Sequence, residues 1–260
     1  MTYFGFLALF VGTPSLILAL VNWRDRRRGR LLPRELRAFA PGHAAVALAL
    51  AALLYTTPWD NYLVATGVWY YDPTRVTGIV LGWVPLEEYV FFVAQTALVA
   101  LWFLFVARRL PSAGGGLRGP LRWQSAAGVG VLWLLAVVLL GLRWPPGTYL
   151  GLELAWFLPP VILQLTFGGD ILWLHRRQVA AALLPAVAYL TAADGVAIEA
   201  GVWTIALEQS TGVLLGSLPL EELVFFAVTS LLIVFGMTLI LAEDSIRRLN
   251  AWTRRLAVRR

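Results

Sequence analysis

The sequence predicts an all-α, polytopic membrane protein of seven transmembrane helices, built as two parallel three-helix repeats joined by a linker helix. Three observations carry that prediction. The 260 residues are 59% apolar, where soluble domains run at about 45–50%. The apolar residues gather into seven runs, most close to the ~20 residues that cross a hydrocarbon core. The basic residues, all 21 of them Arg, fall between those runs.

In order, the runs cover residues 3–23, 42–58, 78–106, 124–142, 148–167, 179–198 and 212–241. The first lacks a basic segment before it and has an Arg cluster after it, which predicts a retained helix rather than a cleaved signal peptide. The second is short and rich in Ala. The third and seventh are long enough to tilt or break. Nineteen Arg follow the first, third, fifth and seventh runs, and Arg75 and Arg143 alone lie on the other side. The positive-inside rule then places the N-terminus outside and the C-terminus in the cytoplasm. Pro111–Pro120, with three consecutive Gly, reads as a flexible cytoplasmic linker. Arg in such loops argues against a nucleic-acid surface. With no Cys, disulfides and thiolate metal sites are excluded.

The chain repeats itself. At a shift of 134, residues 55–95 align with 189–229 without a gap, with 17 of 41 positions identical. The strongest block is Pro85-Leu86-Glu87-Glu88-x-Val90-Phe91-Phe92 against Pro219-Leu220-Glu221-Glu222-x-Val224-Phe225-Phe226. A weaker match at a shift of 146 pairs Thr2-Tyr3-x-Gly5 and Pro14 with Thr148-Tyr149-x-Gly151 and Pro160. The expected units are 1–107, a first three-helix repeat; 108–147, linker and linker helix; 148–241, the second repeat; and 242–260, a basic tail. Three spans plus one linker span give both repeats the same orientation, related by an axis along the membrane normal. The two Glu pairs are then expected at one depth, facing each other between the halves. Counted from the start of each run, they lie about ten residues, or ~15 Å, into their helices.

An ionised acid at mid-bilayer costs about 2.5–3.5 kcal/mol even on the lenient insertion scale. No Arg stands near Glu87, Glu88, Glu221 or Glu222 in their own runs. Some of the four are therefore expected to hold protons, and a neutral acid beside an ionised one is a proton donor beside a base. Pro85 and Pro219 are expected to open the helix ahead of each pair. Gly78, Gly82, Gly212 and Gly216 are expected to admit a close neighbour. Glu88, Phe92 and Gln95 share one face, as do Glu87 and Phe91, and Glu222, Phe226 and Thr229 repeat the first set. Aromatic faces beside acids suit a carbocation, which a ring quadrupole attracts without offering a lone pair. Plainer readings exist. Intramembrane Glu also forms interhelical hydrogen bonds, and Phe pairs also serve as core. Trp59, Trp69, Tyr70, Tyr71 and Trp203 suit an interfacial aromatic belt. Asp60 and Asp194 suit either a cap or a site role. His43 and His175 are not equivalent under the repeat and are expected at cytoplasmic ends, outside the chemistry.

The doubled block, with Pro58-Trp59-Asp60-Asn61-Tyr62 and Gly67-Val68-Trp69-Tyr70 upstream, resembles the small membrane-embedded lycopene cyclases. These occur as two-subunit bacterial forms, fused chains and the N-terminal part of fungal bifunctional enzymes. The second copy departs from the first at Ala193, Gly195 and Thr204. The resemblance implies a lycopene β-cyclase of a prokaryotic inner membrane, acting on lycopene or a related linear carotenoid. Its chemistry is redox-neutral: protonation at C2, attack of the C5–C6 double bond on the C1 cation, and loss of a proton from C6. It implies Glu87, Glu88, Glu221 and Glu222 as acid and base, without assigning which is which. Phe91, Phe92, Phe225, Phe226, Trp69, Trp203 and Gln95 are the implied substrate contacts, supported by Asp60, Asp194, Pro85 and Pro219. No metal, no dinucleotide and no nucleic acid is expected; lipid and other carotenoid-pathway enzymes are the expected neighbours.

Three other functions compete. Parallel repeats and buried acids suit a proton-coupled transporter, although few polar residues line the runs. A carotenoid hydratase starts from the same protonation and quenches the cation with water. A retinal photoreceptor needs a Schiff-base Lys, and the chain has none.

Overall fold

A computed structural model describes residues 1–112 and 116–258 of the chain. Part of the Pro111–Pro120 linker, residues 113–115, lies outside them, as do the last two residues of the basic tail. Eight long helices dominate. They are α1 (Tyr3–Arg27), α2 (Pro41–Ala65), α3 (Leu86–Ala107), α4 (Gly119–Gly141), α5 (Thr148–Leu174), α6 (Arg176–Glu199), α7 (Leu220–Leu241) and α8 (Glu243–Val258). Among the described residues, six helices are long and apolar enough to cross a membrane: α1 and α3 through α7. The remaining long helix before the tail, α2, carries Trp59-Asp60-Asn61-Tyr62 within it, which lowers its hydropathy. It nevertheless continues to Ala65, beyond the predicted end at 58, because Asn61 satisfies its own amide on the Thr57 carbonyl at 2.9 Å.

The largest departure from expectation is at the acid motifs. Residues 78–85 and 212–219 are not helix. They form small hairpins, β2 (Val80–Leu81) with β3 (Val84–Pro85), and β5 (Leu214–Leu215) with β6 (Leu218–Pro219). Hydropathy alone does not separate an apolar hairpin from an apolar helix turn. The glycines do: Gly82 (φ 71°) and Gly216 (φ 68°) take the first central position of two-residue turns, where φ must be positive. Gly78 and Gly212 also have positive φ (80° and 73°), and of the four only Gly82 meets the expected close neighbour, since a Cβ there would clash with the Asn61 side chain of α2. Pro85 and Pro219 do not open a helix from within. Each ends a strand and stands at the N-cap, and helix begins at the next residue.

Between α2 and β2, strand β1 (Trp69–Tyr71) pairs antiparallel with β4 (Trp203–Ile205), which follows α6. Its register sets Tyr70 against Thr204, residues 134 apart. Helices α3 and α7 are the centre of the bundle. They pack on each other, α3 also touches α1, α2 and α6, and α7 also touches α5, α6 and α2. Gln95 of α3 donates to Thr229 of α7 at 3.0 Å, again 134 positions apart. Helix α4 lies along α5 and is mostly exposed.

Two internal prolines are compensated alike. Proline has no N–H to give the carbonyl four residues back. Behind Pro160 that carbonyl is Trp156, and Tyr55 of α2 donates its hydroxyl there at 2.7 Å. Behind Pro14 it is Phe10, and Tyr189 of α6 donates there at 2.8 Å. At the far end from the hairpins, α8 is fastened by a buried ion pair, Arg248 to Asp170 of α5 at 2.6 Å.

Candidate active site

Because α3 and α7 start after the prolines, the acid pairs are the second and third residues of their helices, not the tenth. The expected 15 Å depth is thereby corrected. Their charge meets the positive end of a helix dipole, yet all four carboxyl groups are buried beneath the hairpins and β1–β4.

The two members of each pair point to different neighbours. Glu87 Oε1 accepts the Thr77 amide at 2.6 Å, and Glu221 Oε1 accepts the Thr211 amide at 2.6 Å. The same hairpins are tied by Leu86 N–H to Ile79 carbonyl (2.8 Å) and Leu220 N–H to Val213 carbonyl (2.9 Å). Glu87 and Glu221 thus clamp each hairpin to its helix. Glu88 and Glu222, one position on, line a single small cavity of about 30 Å³. Its other walls are Tyr3, Tyr71, Trp69, Trp203, Asp194, Phe91, Phe225 and Phe226.

Phenols hold the two facing acids. Glu88 Oε2 accepts Tyr3 O–H at 2.5 Å and Tyr71 O–H at 3.0 Å. Glu222 Oε1 accepts Tyr149 O–H at 2.7 Å. Tyr71 lies on β1, outside the helices, where burial first and then the nearby Asp60 and Glu88 push its phenol well above the usual range. It therefore stays a donor at any ordinary pH. Asp194 accepts Trp203 Nε1–H at 3.1 Å. Asp60 has both oxygens buried with no hydrogen-bond partner, as does Glu153 of α5.

The aromatic wall is continuous. Tyr3 meets Trp203 at 5.0 Å and Tyr71 at 6.1 Å. Trp59 stacks on Phe225 at 5.8 Å and meets Trp69 edge-on at 5.4 Å. Phe91 meets Phe226 edge-on at 6.2 Å.

Of the residues expected at the site, Glu88, Glu222, Phe91, Phe225, Phe226, Trp69, Trp203 and Asp194 are brought together. Glu87, Glu221, Pro85 and Pro219 belong to the hairpin–helix junctions. Phe92 and Gln95 line a neighbouring groove instead. Trp59 and Trp69 turn inward, so the aromatic belt fails for them, while Tyr70 stays exposed. Asp60 and Asp194 lie inside α2 and α6 and cap neither. His175 is buried at the end of α5, its Nδ1 2.8 Å from Gln178 Oε1. Sequence reasoning did not place Tyr3, Tyr71, Tyr149 or Glu153 at the site. The weaker match at a shift of 146 already paired Tyr3 with Tyr149. Tyr71 and Glu153 correspond under the repeat to Ile205 and Leu7 and had no such signal. Among the described residues, no cluster of His, Asp or Glu is arranged to hold a metal.

Six helices long and apolar enough to cross a membrane, with two opposed carboxyls in an aromatic chamber, define a helical protein of membrane character with a candidate acid–base site. The lycopene cyclase family model matches residues 1–106 and 146–240, and the chain belongs to that family. It is 40% identical to the lycopene beta-cyclase of Halobacterium salinarum over 244 residues, 92% of this chain and 95% of that one. It is 35% identical to the bifunctional lycopene cyclase/phytoene synthase of Podospora anserina over 201 residues, 73% of this chain and 34% of that one. The corresponding enzyme of Colletotrichum graminicola is 37% identical over 199 residues, 72% of this chain and 33% of that one. No solved structure matches the chain.

Proposed function

We propose that this chain is a lycopene β-cyclase: it closes the linear ends of lycopene to β-rings by proton transfer, with no net oxidation or reduction. The observation that carries the reading is the opposition of Glu88 and Glu222 across one small, aromatic cavity. One proton enters at C2, the C5–C6 double bond closes the ring on the C1 cation, and one proton leaves C6. Acid, base and a dry pocket meet that need, and the π faces of Trp69, Trp203, Phe91, Phe225 and Phe226 stabilise the cation between the two transfers.

Hydrogen bonding supports a division of roles. Glu88, the acceptor of two phenol protons, is the base. Glu222 has one phenol donor and shares its surroundings with the carboxyls of Asp194 and Glu153. Carboxyls gathered around one site favour keeping a proton among them, and in this reading Glu222, which faces the cavity, delivers it. The resting cavity has about the volume of one water molecule, enough for a water to return the proton from Glu88 to Glu222 after release.

The same reading takes α1–α7 as seven spans of a cell membrane, N-terminus outside, the halves related by a two-fold axis along the membrane normal. That axis is supported by the Tyr70–Thr204 strand register and the Gln95–Thr229 hydrogen bond, both between residues 134 apart. Helix α3, at 22 residues, is about 33 Å long and suits a bilayer core.

Expression in a bacterium that accumulates lycopene tests the function. Pigment analysis is expected to show β-carotene or its one-ringed precursor; unchanged lycopene, with the protein in the membrane, refutes it. A hydroxylated end group would instead identify a hydratase. Glu88→Gln and Glu222→Gln are each expected to cut turnover about a hundredfold or more, and full activity in either variant refutes its assigned role.

A further inference from the structure

The cavity between Glu88 and Glu222 cannot admit an isoprenoid end group as it stands, because it holds about 30 Å³. The space for the substrate must come from next door. Two larger grooves flank the central helices, one of about 370 Å³ and one of about 250 Å³. They are counterparts in the fold. The larger is built on Pro14, Ala186 and Tyr189; the smaller on Pro160, Ala52 and Tyr55, the same positions displaced by 146 or 134. Each contains one of the tyrosines that satisfies a proline-orphaned carbonyl.

Only the smaller groove reaches the acids. Phe225 lines both that groove and the chamber of Glu88 and Glu222, whereas no residue of the larger groove lines the chamber. The larger groove also has the Trp102 indole where the other half has Gly236. Several polar groups along the smaller groove are spent internally: Gln95 on Thr229, the Gln164 amide N–H on the Leu232 carbonyl, Thr96 on the Phe92 carbonyl. What remains toward the groove is mostly apolar, with Thr56 and the unpartnered Gln164 Oε1 as its polar points.

We propose that the groove between α2, α3, α5 and α7 binds the polyene body of the substrate, and that the Phe225 ring is the gate through which its end group reaches Glu88 and Glu222. The occupant is a long hydrocarbon polyene; the twin groove takes none. The inference rests on the cyclase reading and adds the path to the acids. Turning Phe225 away from its stack on Trp59 merges the chamber with the groove.

The symmetry supplies its own control. Ala52→Trp fills the smaller groove and Ala186→Trp fills the equivalent place in the larger. Each is made in wild type and in Glu88→Gln, and purified from lycopene-accumulating cells. Wild type that converts lycopene establishes the cyclase reading independently of the groove. Given that, Ala52→Trp is expected to lose about tenfold or more in conversion rate, and Ala186→Trp to stay within about twofold. In the Glu88→Gln background, lycopene that co-purifies is expected to be lost with Ala52→Trp and kept with Ala186→Trp. Thermal melting checks folding, and Ala52→Leu against Ala186→Leu is the milder pair should a Trp variant fail to fold. Equal conversion and equal bound lycopene in the two members of the folded pair overturn the proposal and leave both grooves to lipid chains.

Discussion

At the scale of single residues, the acid motifs split by one position. Glu88 and Glu222 meet the cavity, and phenols rather than cations hold them. Hydrogen bonds to charged groups are worth about 1.5–3 kcal/mol. Tyr3→Phe removes the shorter of two donors on Glu88 without changing the ring that packs on Trp203, so turnover is expected to fall about ten- to a hundredfold. Tyr71→Phe leaves that shorter donor in place and is expected to cost less. Steady-state rates on lycopene in proteoliposomes, with melting temperature as the fold control, check both. Equal rates for wild type and Tyr3→Phe would remove the phenol from the mechanism. The carboxyls were legible in the sequence because a doubled acid pair in an apolar run is anomalous by itself. A phenol is ordinary there, and only its partner in space reveals its role; the Tyr3–Tyr149 repeat was the one trace.

At the scale of elements, the sequence placed α1 through α7, took the helix α8 for a basic tail, and misread what precedes α3 and α7. An apolar hairpin and an apolar helix turn have the same hydropathy, so the runs at 78–106 and 212–241 merged strand with helix. The distinguishing signals were conformational: Gly at 82 and 216 ahead of a Pro three residues on. The consequence is chemical, since it moves the acids from mid-helix to the first turn and gives Glu87 and Glu221 a clamping task. Glutamine keeps a carbonyl oxygen for the Thr77 or Thr211 amide, and alanine does not. Glu87→Gln is therefore expected to keep turnover within about tenfold of wild type, far above Glu88→Gln. Glu87→Ala leaves a part-buried amide unpaired and is expected to cost about 1 kcal/mol of stability. Pigment yield beside melting temperature separates the two effects; a Glu87→Gln protein as inactive as Glu88→Gln would return Glu87 to the chemistry.

At the scale of the whole molecule, the two halves share a plan yet are unequal at the centre. Glu88 has two phenols where Glu222 has one, and of the two flanking grooves the smaller alone shares a residue, Phe225, with the chamber. The repeat was readable from residue identities; the inequality was not, because it arises at positions such as Tyr71, Trp102 and Glu153 where the copies differ. One chamber with one path handles one end of a linear substrate at a time. Lycopene has two identical ends, so the second ring requires the molecule to leave the groove and enter reversed. A one-ringed product is then an obligatory released intermediate. In a time course with purified protein in lipid vesicles, it is expected to rise first and the two-ringed product to follow after a lag. Added unlabelled one-ringed carotene is expected to dilute isotope from labelled lycopene in the final product. Two-ringed product formed without lag and without dilution would mean that both ends react in one visit, which a single chamber with a single groove does not allow.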